Sequence, residues 1–381
     1  MLGLDVLLTA SVSFIVSFLA IPIVIQVAET KNLYDIPDER KLHTKKIASL
    51  GGVGIFAGFI IASLLSIQGH LNPEFQYFFA AAIVIFFLGL KDDIVVLSAS
   101  KKFIGQLLAA SILIHLGDIR LDSMYGVFGI EQLPAGFGLA LSYLTIIVII
   151  NSFNLIDGVD GLAASLGVLS TVVFGIYFFA IDYQAYALFA FAMAGSLVAF
   201  LIFNHHPAKI FMGDSGSLMI GMVNAILVIK FINVAHDPFV AIPVHSSVAF
   251  GFAVLIVPLL DTLRVFSVRI LNAKSPFTPD RNHVHHLFLD RGLSHAAVTF
   301  SLVLINIGFI ALAWLGQSFG TTILLGIMLV LAFAGLGILY YYRRTHKTMV
   351  VSKTKEGATL LTTTTKVLDL TKEMDTEEKR N

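Results

Sequence analysis

Apolar residues gather in eleven blocks along the 381-residue chain, at approximately 4–27, 51–68, 76–90, 103–117, 138–152, 162–180, 185–203, 215–233, 245–260, 298–316 and 321–342. Each block predicts a helix, because roughly 20 apolar residues in helical form cross a hydrocarbon core. The third, fourth, fifth and ninth blocks are short and reach spanning length only by extending into polar flanks. The first block does not read as a secretory signal, since no Lys or Arg precedes it and it is too long for an h-region. The expectation is an all-α, polytopic integral membrane protein with about 11 transmembrane helices and no internal repeat.

Composition agrees with a bilayer environment: 57% of residues are hydrophobic and 13% charged, where soluble domains run nearer one quarter charged. A soluble globule of this composition would leave broad apolar areas facing water. The absence of cysteine excludes disulfide frameworks, thiolate metal sites and Cys nucleophiles. No basic stripe or nucleic-acid motif is present, so no nucleic-acid partner is expected. Net charge is zero, yet the charges are unevenly placed. With the N-terminus outside, 23 of the 25 Lys and Arg fall on inside segments, and only Arg120 and Lys230 lie outside. The positive-inside rule therefore predicts the N-terminus outside and the C-terminus in the cytoplasm. Segments 153–161 and 261–297 are cytoplasmic loops on this reading. Residues 1–342 form the transmembrane unit, and 343–381 a polar tail with a short surface helix near Leu360–Leu370.

The polar clusters lie in or beside inside segments. Asp92 and Asp93 are adjacent carboxylates that repel unless a cation lies beside them. They read either as a solvated helix end with Lys91 or as a metal or phosphate site with Lys101 and Lys102 across the turn. Asn151, Asn154, Asp157 and Asp160 sit in NSFNLIDGVDGLA, where Gly158 and Gly161 permit a tight turn. An Asx-turn capping the sixth helix explains one aspartate; the full set also offers hard oxygen ligands or nucleobase hydrogen bonds. Phe211 to Ser217, FMGDSGS, opens the eighth helix. Asp214 there is either a plain cap or a carboxylate for Mg²⁺ beside backbone N–H groups that suit an anion. His283, His285 and His286 follow Arg281 and read as a transition-metal cluster or as phosphate donors. With hard oxygen donors clustered elsewhere on the same face, phosphate contact is the preferred reading. His205 and His206 are read as structural. His43 and Lys46 lie at the inner interface, as lipid anchors or as captors of an anionic lipid head group.

Taken together and in order, DDIVVLS, NSFNLIDGVDGLA, FMGDSGS and HVHH resemble the polyprenyl-phosphate N-acetylhexosamine-1-phosphate transferase family over about residues 30–290. The resemblance implies transfer of a sugar 1-phosphate from a UDP-sugar to undecaprenyl phosphate at the cytoplasmic face, with Mg²⁺ (or Mn²⁺) as cofactor. HVHH and FMGDSGS are similar to the branch that starts O-antigen, enterobacterial common antigen and teichoic acid synthesis with GlcNAc 1-phosphate. The peptidoglycan branch, which moves phospho-MurNAc-pentapeptide and carries three consecutive histidines, is the alternative.

The resemblance also assigns roles. Asp214 is the principal metal ligand and Asn154 a second contact. Asp92 and Asp93 lie near the lipid phosphate, and Lys102 binds phosphate. Asp160 contacts uracil. Arg281, His283, His285 and His286 close over the pyrophosphate and sugar. Asp157 joins Asp92, Asp93 and Lys102 as a catalytic candidate; Asn151, His43 and Lys46 join the substrate contacts. The implied setting is a bacterial cytoplasmic membrane, with lipid and the two substrates as partners and a homodimer left open. A transporter is the rival from another class, but transporters place ionisable residues in mid-span, and here the spans are nearly free of charge.

Overall fold

The structure is a computed structural model, and it describes residues 2–31, 33–35, 47–271, 284–341, 349–354 and 357–362. Each apolar block forms a helix or a helix pair. In chain order these are α1 (Leu2–Lys31), a two-residue ladder of β1 (Tyr34–Asp35) with β2 (Ile47–Ala48), α2 (Gly51–Ser66), α3 (Glu74–Ile94), α4 (Ala99–His115), α5 (Ala135–Ile156) and α6 (Leu162–Ala180). There follow α7 (Gln184–Asn204), α8 (Gly213–Ala235), α9 (Ser247–Val254), α10 (Ile256–Leu271), α11 (Val284–Leu289), α12 (His295–Leu315) and α13 (Thr321–Tyr341). Seven of these helices are long and apolar enough to cross a membrane alone, and the bent pair α9–α10 makes an eighth candidate. The short third, fourth and fifth blocks do extend into their polar flanks, so that Asp92 and Asp93 end up in the last turn of α3.

α8 is the axis of the bundle. It packs against α3, α5, α2 and α6, and 83% of its apolar stretch is buried, against 17% for α13. Leu4, Leu8, Leu19 and Ile23 on α1, and Phe300 and Leu304 on α12, face outward. Such apolar faces are costly in water and neutral in lipid. Helix contacts inside the bundle use small residues and short polar side chains. Ser13 donates to the carbonyl of Ala192 at 2.5 Å, and Ser17 to that of Gly54 at 3.0 Å, as interhelical hydrogen bonds do within bilayers.

The helices alternate in direction. At one end, Thr9 at the start of α1 bonds Ser66 at the end of α2, and Tyr186 at the start of α7 bonds Glu74 at the start of α3. There too the amide of Phe128 donates to Thr322 at the start of α13. At the opposite end, the last turns of α3, α5 and α7 meet the first turns of α4, α8 and α12.

Two expectations are corrected. Segment 261–297 is not loop from its start: α10 continues to Leu271, because LLDTLRVFSVRIL keeps a helical apolar face. In place of a surface helix from Leu360, the tail forms the antiparallel pair β3 (Met349–Thr354) and β4 (Gly357–Thr362), with Leu360 paired to Val351. β-Branched Val350, Val351, Thr359 and Thr362 favour strand over helix there. Residues 363–370 lie outside the described residues.

The ninth block is broken at Leu255, where α9 and α10 bend by 82°. A break inside an apolar bundle frees backbone groups that must find partners. Asn306 of α12 supplies them. Its amide nitrogen donates to the carbonyls of Ala253 (3.2 Å) and Val254 (3.1 Å), and its oxygen accepts from the amide of Val257 (3.4 Å). Asn306→Leu removes all three partners in a fully buried position and should cost about 1–3 kcal/mol, read as a lowered midpoint of thermal unfolding in detergent. A variant as stable as wild type would show that the break needs no such support.

Candidate active site

The site grows from the first turn of α8. Gly213 takes a left-handed φ of +73°, which lets the chain turn sharply into the helix. Residues 47–52 lace to the segment just before it: the amide of Phe211 donates to the carbonyl of Ala48, and those of Gly51 and Gly52 donate to Phe211 and Met212. Gly89 of α3 brings the two helices into backbone contact, since a Cβ there would lie 2.5 Å from Ser215.

That proximity delivers Asp93 to the free N–H groups of α8. One carboxylate oxygen accepts from the amide of Asp214 at 2.7 Å. The other accepts from the amide of Ser215 at 3.1 Å and from its hydroxyl at 2.6 Å. The anion expected at this helix N-terminus is therefore supplied from within the chain, as a cap reaching across from a neighbouring helix. Asp92, one residue earlier, accepts from the amide of Leu97 at 2.6 Å and pairs with Lys102 at 2.5 Å.

Lys102 also pairs with Asp214 at 2.6 Å, so one ammonium bridges two carboxylates. The other oxygen of Asp214 accepts from the Asn154 amide nitrogen at 2.9 Å, which also donates to Ser217 at 3.0 Å. Asn151, one turn earlier on α5, exchanges hydrogen bonds with Gln106 of α4 at 2.8 and 3.2 Å and so ties the two helices behind the site.

The turn after α5 carries the remaining acids. Asp157 has no hydrogen bond to a described residue. Burial first, and then the nearby carboxylates of Asp214, Asp93 and Asp160, push its carboxyl up to about 7. Asp160 stands apart in a second cluster. It accepts from His206 at 2.7 Å and from the amide of Ala208 at 3.3 Å, and it faces His295 at 3.5 Å. Burial raises its pKa, but the two imidazoles and the amide outweigh that and hold it below the usual carboxylate range. His285 of α11 lies over Gly158, where a Cβ would sit 2.5 Å from the ring nitrogen, and Asp261 of α10 holds α11 in place by accepting from the amide of Val284 at 2.6 Å.

Asp92, Asp93, Lys102, Asn154 and Asp214 thus meet in one network, with Asp157 in electrostatic reach and Asn151 behind it. Asp160 belongs to the histidine cluster. His286 lies in α11; His43, Lys46, Arg281 and His283 fall outside the described residues. Sequence reading passed over His295, whose one signal is its place after the capping Ser294 at the inner start of α12, and it gave His206 a structural role.

Lys102 is the one cation paired with the carboxylates of the network among the described residues: it bridges Asp92 and Asp214, while Asp157 lies in electrostatic reach of Asp214 and Asp93. Carboxylate and amide oxygens are the ligands that Mg²⁺ takes, whereas the group of three His and carboxylate ligand atoms that lie close enough together to share an ion, among the described residues, is Asp160, His206 and His295. The two aspartates of α3 are distinguishable by stability: Asp93→Ala leaves three donors at the start of α8 unpaired and should cost about 1–3 kcal/mol, whereas Asp92→Ala leaves Lys102 still paired with Asp214 and frees only the amide of Leu97, and should cost less. Thermal unfolding of both variants in detergent checks this; an equal effect would contradict the capping role.

Comparison with known proteins adds a lineage. The model of the family described as glycosyl transferase family 4 matches residues 75–232. A Bacillus subtilis (strain 168) protein named probable undecaprenyl-phosphate N-acetylglucosaminyl 1-phosphate transferase is 34% identical, over 78% of this chain and 82% of that protein. An undecaprenyl-phosphate alpha-N-acetylglucosaminyl 1-phosphate transferase of Yersinia pestis is 30% identical, over 76% and 78%. A decaprenyl-phosphate N-acetylglucosaminephosphotransferase of Mycobacterium leprae (strain TN) is 32% identical, over 78% and 80%.

Proposed function

The chain belongs to glycosyl transferase family 4, and from that premise we propose that it transfers N-acetylglucosamine 1-phosphate from UDP-N-acetylglucosamine to undecaprenyl phosphate, with release of UMP. The observation that carries the reading is the double engagement of Asp214, with Lys102 on one oxygen and Asn154 on the other.

In the reaction an oxygen of the lipid phosphate bonds to the phosphorus that bears the sugar, and the bond from that phosphorus to the UMP oxygen breaks. Two anions must approach, so charge neutralisation is the main demand on the site. Lys102 is placed to exchange its carboxylate partners for phosphate oxygens. The amide oxygen of Asn154 and the carboxylate of Asp214 would hold Mg²⁺, which when bound would screen the pyrophosphate. A phosphate monoester has its second pKa near about 6, so at neutral pH it is mostly a dianion and needs little base assistance. A covalent route through Asp92 or Asp93 is disfavoured, because both oxygens of Asp93 accept hydrogen bonds at the start of α8 and those of Asp92 are taken by the amide of Leu97 and by Lys102. Asp92 instead positions Lys102, and Asp93 positions Asp214.

The chain crosses the bacterial cytoplasmic membrane eleven times, N-terminus outside, with the site at the cytoplasmic face. The placement of 23 of 25 basic residues and the alternation of helix ends support this. The chain has no cysteine, so single cysteines report cleanly. His70→Cys should react in whole cells with an impermeant thiol reagent, and Ser98→Cys should be protected until the membrane is opened. The reverse pattern would invert the topology.

Purified protein with undecaprenyl phosphate and Mg²⁺ should release UMP from UDP-N-acetylglucosamine in preference to other UDP-sugars, and a chelator of divalent cations should stop it. Asp214→Asn conserves volume and helix compatibility but removes the charge. It should lower kcat by about a hundredfold or more with unfolding temperature little changed; activity within severalfold of wild type would remove Asp214 from the site.

A further inference from the structure

At the end of the bundle opposite the active site, a cavity of roughly 420 Å³ opens between the ends of α2, α3, α7 and α8, with Lys230, Glu74, Asp182, Tyr183, Tyr186 and Gln68 in its wall. Its volume lies in the range of small-ligand sites. Lys230 is a charged side chain on the most buried helix of the protein, and within a bilayer such a residue is costly and marks function unless something nearby satisfies it. Its ammonium lies 4.9 Å from the ring centre of Tyr186 and 5.8 Å from that of Tyr183. Among the described residues it forms no ion pair, although two carboxylates share the same cavity. Glu74 accepts a long 3.3 Å hydrogen bond from the Tyr186 hydroxyl, and Asp182, exposed at the lip, holds a left-handed φ of +63°, an unusual state for a residue other than glycine.

A cavity that presents one unpaired cation and two acids suits a ligand carrying both signs. A simple anion would meet Glu74 and Asp182, and a simple cation would leave Lys230 unpaired. The surroundings name the source of such a ligand. Leu65 and Leu71 beside the cavity are exposed, next to the polar turns that join α2 to α3 and α6 to α7. We propose that this cavity binds the head group of a zwitterionic aminophospholipid of the opposite leaflet, its phosphate on Lys230, its ammonium on Glu74 and Asp182, and its acyl chains along Leu65 and Leu71. A quaternary ammonium head group has no N–H to give the carboxylates and fits less well.

The test is binding of phosphatidylethanolamine, phosphatidylglycerol and phosphatidylcholine to the delipidated full-length protein, followed by native mass spectrometry and by the shift in unfolding temperature. Phosphatidylethanolamine should bind at least about fivefold more tightly than the other two, and Lys230→Met and Glu74→Gln should each abolish that preference. Equal binding of the three lipids, tighter binding of phosphatidylglycerol, or an unchanged preference in Lys230→Met would overturn the proposal. Should Lys230→Met fail to fold, Asp182→Asn serves in its place, since asparagine tolerates the left-handed backbone: a reduced preference supports the site and an unchanged one overturns it.

Discussion

Four N–H groups at the start of a helix have no partner within that helix, and in α8 they lie at one end of the bundle, against the last turns of α3 and α5. The carboxylate of Asp93 takes two of them, with the hydroxyl of Ser215 as a third donor. Much of the site follows from this interaction. It binds the end of α3 to the start of α8, and it settles on the chain's own anion a position that would otherwise attract an outside one. It also leaves the side chain of Asp214 free to turn toward Lys102 and Asn154. Gly89 and Gly213 serve the same contact, one by close approach and the other by its turn.

The charges around that point are unbalanced. Lys102 divides its ammonium between Asp92 and Asp214, and Asp157 adds a further carboxyl whose proton is held up to about 7 by burial and by its acidic neighbours. In a medium of low dielectric an excess of negative charge is costly. The ammonium of Lys102 relieves part of it, and the proposed Mg²⁺ would relieve more; the same groups would neutralise the phosphates that must meet during transfer.

Much of this was legible in the sequence. Eleven apolar blocks became helices or helix pairs, and the motifs at Asp92–Lys102, Asn154 and Asp214 converge because each sits at a helix end on the same side of the bundle. The difference between Asp92 and Asp93 was not legible. Adjacent helical residues point about 100° apart, so one carboxylate faces Lys102 and the other faces α8, and only the packing of α3 decides which. The break at Leu255 was hidden because its partner Asn306 lies on a distant helix. The tie between Asp160, His206 and His295 was hidden for the same reason, since its members come from three separate segments. Strand formation in the tail follows its β-branched residues, which a reading dominated by helix periodicity passed over.

The central claim is that Asp93 builds the start of α8 while Asp214 holds the cation there. Electron paramagnetic resonance of Mn²⁺ titrated into the purified protein tests it directly. Wild type should bind a single tight Mn²⁺, and Asp214→Asn should lose that ion while keeping its unfolding temperature. An Asp214→Asn protein that binds Mn²⁺ as wild type does would contradict the account.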